Sequence, residues 1–124
     1  MEKWQEATEV ATSSVAYAEA LASFHRKQRE SNIENSIMSR ITTDFSADWI
    51  GFIRLQVNDE LNSYVERALS THPLRGFDAI HLASALALKD TIQQNIVFTC
   101  FDNKLLNAAR EEGLQTFPDD LKAL

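Results

Sequence analysis

The run Gly76-Phe77-Asp78-Ala79-Ile80-His81-Leu82-Ala83-Ser84-Ala85-Leu86 decides the fold. From Phe77 to Lys89 the residues are apolar nearly all round. A surface helix carries one apolar stripe, whereas one apolar on every side is enclosed by its neighbours. The polar exceptions, Asp78, His81 and Ser84, fall three apart and so share one slanting strip of the helix. Polar groups inside a protein need partners. Two readings stand: a capping Asp with a satisfied core His and Ser, or the wall of a site. Beyond this helix, Asn95 to Phe101 holds the continuous run Ile96-Val97-Phe98-Thr99-Cys100, as expected of a parallel strand covered on both faces.

The rest of the chain extends the same alternation. Met1 to Ala7 reads as the tail of a helix, and Glu9 to Thr12 as a short strand. Ser13 or Ser14 can cap a helix to about Glu30, with Val15, Ala18, Leu21, Ala22 and His25 on one face. A more polar helix follows from Ser36 to Ile50, with Ile37, Ile41, Phe45 and Trp49 spaced four apart. Phe52 to Val57 alternates as a strand does. Asn58 or Asp59 then caps a helix whose apolar stripe is Leu61, Tyr64, Val65, Ala68 and Leu69, and His72, Pro73 and Gly76 mark a loop. After the Asn95 strand, Asp102 caps a helix from Asn103 to Glu112 that Gly113 ends, and Leu114 to Phe117 forms a last strand closed by Pro118. Strands alternating with helices predict an α/β fold with a parallel sheet.

The totals suit one compact domain over residues 1–124. Apolar residues make up 44% and charged residues 24%, which excludes a disordered chain. Cys100 is the one cysteine, so no intrachain disulfide forms. With no secretory signal at the start, this points to a reducing, cytoplasmic setting. The longest apolar run, Ala79 to Leu88, is interrupted by His81 and Ser84 and is too short to span a membrane. The net charge of -6 gives no basic footprint for nucleic acid, although a site built from carboxylates that bind cations would carry such a charge. Arg26, Lys27 and Arg29 read as a solvated helix end. The three glycines, Gly51, Gly76 and Gly113, form no phosphate loop, which argues against dinucleotide binding.

In parallel sheets, ligands bind beyond the carboxyl ends of the strands. Three acids occupy suitable positions. Asp102 directly follows the Asn95 strand, and is either a plain N-cap or a ligand. Glu19 lies early in the first long helix among Tyr17, Ala18, Ala20, Leu21 and Ala22, and either faces solvent or lines a site. Asp78 opens the apolar helix. If three carboxylates converged, their repulsion would call for a hard divalent cation such as Mg²⁺ or Mn²⁺. Such an ion, by activating water and neutralising charge at phosphorus, serves phosphodiester hydrolysis.

Three blocks, in order, resemble the PIN-domain family. Gly76 to Leu86 is similar to its signature helix, and Val97-Phe98-Thr99-Cys100-Phe101-Asp102-Asn103-Lys104-Leu105 with Ala108, Ala109, Arg110, Gly113 and Leu114 to its last strand and helix. Val10-Ala11-Thr12-Ser13-Ser14-Val15-Ala16-Tyr17-Ala18-Glu19 resembles its threonine-serine element followed by an acid. The resemblance implies a three-layer PIN-like fold and an endoribonuclease dependent on Mg²⁺ or Mn²⁺. It also implies an RNA substrate, an antitoxin partner in the bacterial toxin-antitoxin setting, and a homodimer. Glu19, Asp78 and Asp102 fall on the family's second, third and fourth acidic positions, as catalytic residues and metal ligands. Ser13 falls on a small polar position near the site and His81 on an accessory one.

The sequence departs from the family pattern in three places. Cys100 stands where the family often has Thr or Ser, and Lys104 where an acid sometimes occurs. The family also opens with a central strand ending in a metal-binding Asp, and nothing in this sequence before Met1 supplies it. The expectation is therefore a PIN-like fold lacking that first strand, with self-association covering the gap. The alternative function is a catalytically inactive PIN-like module that binds a partner protein or RNA.

Overall fold

The computed structural model describes residues 9–118. The expected helix tail at Met1 to Ala7 lies outside them. The chain divides into two compact units, Met1–Gln56 and Val57–Leu124.

In the first unit, strand β1 (Ala11–Ser13) leads into helices α1 (Ala16–Ser31) and α2 (Asn35–Gly51), and strand β2 (Ile53–Leu55) returns parallel to β1. Ala11 pairs with Ile53, Thr12 with Arg54 and Ser13 with Leu55. The bonds Ile53 N–H to Val10 O and Ser14 N–H to Leu55 O, each 2.9 Å, extend the ladder at both ends. Asn32, with φ 52°, ends α1 in the left-handed conformation that Asn tolerates. Gln28 Nε2 then donates to Asn35 Oδ1 at 2.9 Å, tying the turn between the two helices.

Helices α1 and α2 meet through aromatic rings. Phe45 lies 5.8 Å from Tyr17 and 5.5 Å from Phe24 between ring centroids, and Trp49 lies 5.2 Å from Tyr17. Each such pair contributes roughly 0.5–1.5 kcal/mol beyond simple burial. This packing corrects both helical faces read from the sequence. On α1 the less exposed row is Tyr17, Leu21, Phe24 and Gln28, whereas Ala18, Ala22 and His25 are exposed. The large rings, which have the most surface to bury, set the rotation of the helix. On α2 the fourfold row splits: Phe45 and Trp49 pack, Met38 is buried, and Ile37 and Ile41 are exposed. A strict spacing of four turns about 40° per step around an α-helix, so Ile37 and Ile41 rotate away from the seam.

The second unit opens with a 3₁₀ turn at Asp59–Leu61, followed by α3 (Asn62–Thr71), α4 (Gly76–Ile92), β3 (Val97–Thr99), α5 (Asn103–Glu111) and β4 (Gln115–Phe117). Asn58 Oδ1 accepts from Glu60 N–H at 3.1 Å, the capping expected there. The enclosed helix is present: Ala79, Leu82, Ala83, Ser84, Ala85 and Leu86 of α4 are buried. Leu82 and Leu106 are the largest fully buried side chains, each worth roughly 1.5–3 kcal/mol of burial. The core joins α4 to Ala68 of α3, Phe98 of β3, and Leu105, Ala108 and Ala109 of α5. Gly113, with φ 88°, ends the last helix in the conformation that favours glycine.

β3 and β4 run parallel, with Phe98 opposite Thr116. The strand alternates instead of being covered on both faces, for Phe98 is buried and Val97 and Thr99 are exposed. Within this unit the helices cover only the Phe98 side. The fold is thus mixed α/β with parallel strand pairing throughout. Among the described residues the pairing forms two separate two-stranded ladders, β1–β2 and β3–β4, and no strand joins them.

Candidate functional site

Asp102 follows β3 directly. Its backbone is extended, with φ -134° and ψ 119°, and its Oδ1 accepts from Leu105 N–H at 3.1 Å. The N-cap reading is therefore correct. It leaves room for a second role, because an ionised carboxylate offers about four acceptor positions and the cap engages one oxygen. Asp78 lies in the first turn of α4 and is half-buried. Both acids stand where the positive end of a helix dipole favours a negative side chain.

Cys100 adjoins the turn that carries Asp102. Its thiol is half-buried, and Sγ donates to Asp102 O at 3.6 Å. Burial pushes the thiol's pKa up, the contact with the Asp102 backbone opposes this, and the negative charges of Asp102 and Asp78 raise it further.

The polar strip of α4 resolves unequally. Ser84 is buried, and its hydroxyl donates to Ile80 O at 2.8 Å. It is satisfied within its own helix, as the core reading had it. His81 is half-buried, one turn below Asp78 on the same helix.

Glu19 and Ser13 belong to the first unit. Glu19 sits in the first turn of α1, half-buried, with Oε1 withdrawn from water. Ser13 is buried at the end of β1, and its Oγ accepts from Val15 N–H at 3.3 Å. That bond shapes the strand-to-helix turn. Val15 takes the N-cap position and no side chain caps α1, so the capping expected of Ser13 or Ser14 is replaced by this turn.

The donors of the second unit suit a hard divalent ion, since Asp78 and Asp102 offer carboxylate oxygen. Among the described residues, no group of three or more His, Cys, Asp or Glu side chains is arranged to hold a metal ion.

The chain is similar to two ribonucleases. It is 26% identical over 118 residues to Ribonuclease VapC45 of Mycobacterium tuberculosis (strain CDC 1551 / Oshkosh), which spans 95% of this chain and 80% of that protein. The same identity and coverage hold for Ribonuclease VapC49 of Mycobacterium tuberculosis (strain ATCC 25618 / H37Rv). No family profile matches the chain, and no solved structure matches it.

Sequence reasoning missed one polar cluster. His72, read as a loop marker, is buried. Its Nε2 lies 2.7 Å from Glu112 Oε2 and its Nδ1 3.1 Å from Glu111 Oε2. Arg67 Nε donates to Glu112 Oε1 at 3.1 Å. The cluster ties α3 and the loop after it to the end of α5. A histidine before a proline, 40 residues from its partner, carries no local signal of this contact.

Proposed function

We propose that this chain is a PIN-type endoribonuclease that hydrolyses RNA phosphodiester bonds with Mg²⁺ or Mn²⁺. The observation that carries this reading is the similarity to two ribonucleases, and the placement of Asp78 and Asp102 at the starts of two helices is consistent with it. That similarity runs along 95% of the chain, so the matched length includes both units.

Asp78 and Asp102 would hold the cation, and Glu19 is assigned a carboxylate role on the family resemblance alone. When bound, the ion supplies Lewis acidity that activates water and offsets charge on the phosphate. The chain's own contribution is to place both acids at helix starts and to fix Asp102 through its cap. Cys100 and His81 border the acids as accessory residues, and Ser13 fixes the turn leading to Glu19. The family resemblance supports an antitoxin partner and self-association as further parts of this proposal. No helix among the described residues is long and apolar enough to cross a membrane.

One observation favours a second reading, in which the chain binds RNA or a partner protein without cleaving. No three candidate ligands are already drawn together among the described residues. Cleavage of RNA in Mg²⁺ or Mn²⁺, compared between the chain and Asp78→Asn, separates the two. The enzyme reading expects cleavage that falls at least about 100-fold in the variant, since even indirect metal partners cost up to that. Equal cleavage by both proteins would remove the carboxylate mechanism. RNA binding with no cleavage in either metal would establish the binding module.

A further inference from the structure

A polar groove of about 590 Å³ runs between α1 and α2, within the range of about 300–1,000 Å³ usual for ligand sites. Phe45 and Trp49 of α2 turn their rings to α1, whereas Ser39, Thr43 and Ser46, a neighbouring row of the same helix, are too short to fill the space. Tyr17 Oη and Ser46 Oγ, 3.4 Å apart, close one end of the groove. Gln28 Nε2, donating to Asn35 Oδ1 at 2.9 Å, closes the other. The chain has 18 acidic residues, yet no acid among the described residues lines this groove. His25 lines it, and Arg29 stands one helical turn further along the same side of α1. Both side chains are exposed, and Arg29 forms no ion pair with another described residue.

Hydroxyl, amide and guanidinium groups are the ones that meet phosphate and sugar in nucleic-acid complexes. A protein-binding groove would instead centre on apolar anchors, and here only Leu21 and Met38 are apolar. Thr42, also in the lining, adds a sharper constraint. Its hydroxyl donates to Met38 O at 3.1 Å, which leaves it only able to accept. Along a nucleic-acid backbone the ionised phosphates accept, and only the 2′-hydroxyl of RNA donates. The space between packed helices, whose axes lie about 8–10 Å apart, is too narrow for a duplex. We infer that this groove holds the sugar–phosphate backbone of a single RNA strand, with His25, Arg29, Ser39 and Thr43 on phosphate and Thr42 accepting from a 2′-hydroxyl. The inference takes its ligand class from the ribonuclease reading and adds to it an anchoring site in the first unit. At a net charge of -6 the chain repels a polyanion at long range, so attachment depends on such local donors.

The test uses the full chain with a fluorescein-labelled oligouridylate and its deoxy counterpart of the same sequence. EDTA is present, so that metal-dependent cleavage does not intrude, and fluorescence anisotropy reads binding. The wild-type chain should bind the RNA about 2- to 10-fold more tightly than the DNA, and Thr42→Val should bring the two affinities together. Ser39→Ala combined with Thr43→Ala should weaken RNA binding about 5- to 100-fold. Arg29→Met should make the slope of log affinity against log salt shallower by about 0.7, the share of one phosphate on a single strand, and Arg29→Lys should restore it. Arg40→Met removes an exposed cation of α2 outside the groove and should leave the slope as it is. Circular dichroism checks that each variant is folded.

RNA affinity of the double Ala variant equal to wild type, or a salt slope for Arg40→Met that drops as far as that of Arg29→Met, would overturn the inference. So would a changed sedimentation mass of the double variant with unchanged RNA binding, which would assign the groove to a second copy of the chain. If the wild type cleaves RNA through Asp78 while the groove variants bind normally, the groove is wrong and the ribonuclease reading stands. If the groove residues hold the oligouridylate and no cleavage occurs in Mg²⁺ or Mn²⁺, the groove stands and the ribonuclease reading falls. If the wild type neither binds nor cleaves RNA, both fall together.

Discussion

Replacing His72 by Phe tests what holds the second unit together. The His72 side chain is 3% exposed and that of Glu112 is 9% exposed. Both ring nitrogens lie against carboxylate oxygens. Phe keeps most of the ring volume and removes both contacts. Glu112 would still be bonded to Arg67, so the loss stays below the 3–5 kcal/mol, roughly, of stranding a buried charge. A hydrogen bond to a charged group is worth about 1.5–3 kcal/mol, and the contact with exposed Glu111 adds little. The expected cost is therefore about 2–3 kcal/mol. Arg67→Ala should cost less, about 1 kcal/mol or below, because the Arg67 side chain is 51% exposed and its charge is screened. Urea unfolding followed by circular dichroism measures both, with the slope checked for constancy. A His72→Phe chain within about 0.5 kcal/mol of wild type, or an Arg67→Ala cost above that of His72→Phe, would refute the reasoning.

The same cluster makes further changes readable. The hydrogen bond from His72, then that from Arg67, holds the Glu112 carboxyl below its ordinary value of 4.5. A lowered carboxyl pKa stabilises the fold above the unfolded value, and the gain fades as pH falls through the folded one. Wild type should exceed Glu112→Gln in stability at neutral pH, with the gap narrowing below pH 4.5 in melts run across that range. At Asp102, Ala removes the cap to Leu105 and should cost about 1 kcal/mol, whereas Asn can still cap. Melts of Asp102→Asn should thus stay near wild type while its RNA cleavage is lost; a large loss of stability would show that the charge itself holds α5. Leu82→Ala, at a fully buried position, should cost about 2–5 kcal/mol in urea unfolding, and a change below 1 kcal/mol would mean the core collapses around the gap.

The sequence exposed the elements that punctuate themselves. Asp102 and Gly113 mark ends through local chemistry, and each stands at its expected boundary, whereas Asn58 caps the 3₁₀ turn that precedes the expected helix. The enclosed nature of α4 was legible too, since a helix apolar all round has few alternatives. Rotation about a helix axis was harder to read. Both α1 and α2 turned toward the large rings of Tyr17, Phe24, Phe45 and Trp49, and alanine or isoleucine rows of similar period lost that competition. β3 read as covered on both faces because hydrophobicity records what a residue can bury, not whether a neighbour is there to bury it. In the candidate site, the positions of Asp78 and Asp102 at helix starts were legible, but the contact of the Cys100 thiol with the Asp102 carbonyl was not. His72 and Glu112 stayed invisible for the same reason: contact between distant segments leaves no pattern in either one.

The two separate ladders also bear on the order in which the chain can become structured. Val97 pairs with Gln115, 18 residues further on, and Ala11 with Ile53, 42 residues further on. Closing the longer loop costs about 0.8 kcal/mol more in chain entropy, a factor of about four in the chance of first encounter. The shorter loop also brings Phe98, Leu105 and Leu114 onto one cluster as it closes. In a complete chain the carboxyl-terminal half can therefore order ahead of the amino-terminal half. During synthesis the order reverses, because a ribosome adds only about 5–20 residues per second and the Ala11–Ile53 loop can close before the second unit emerges.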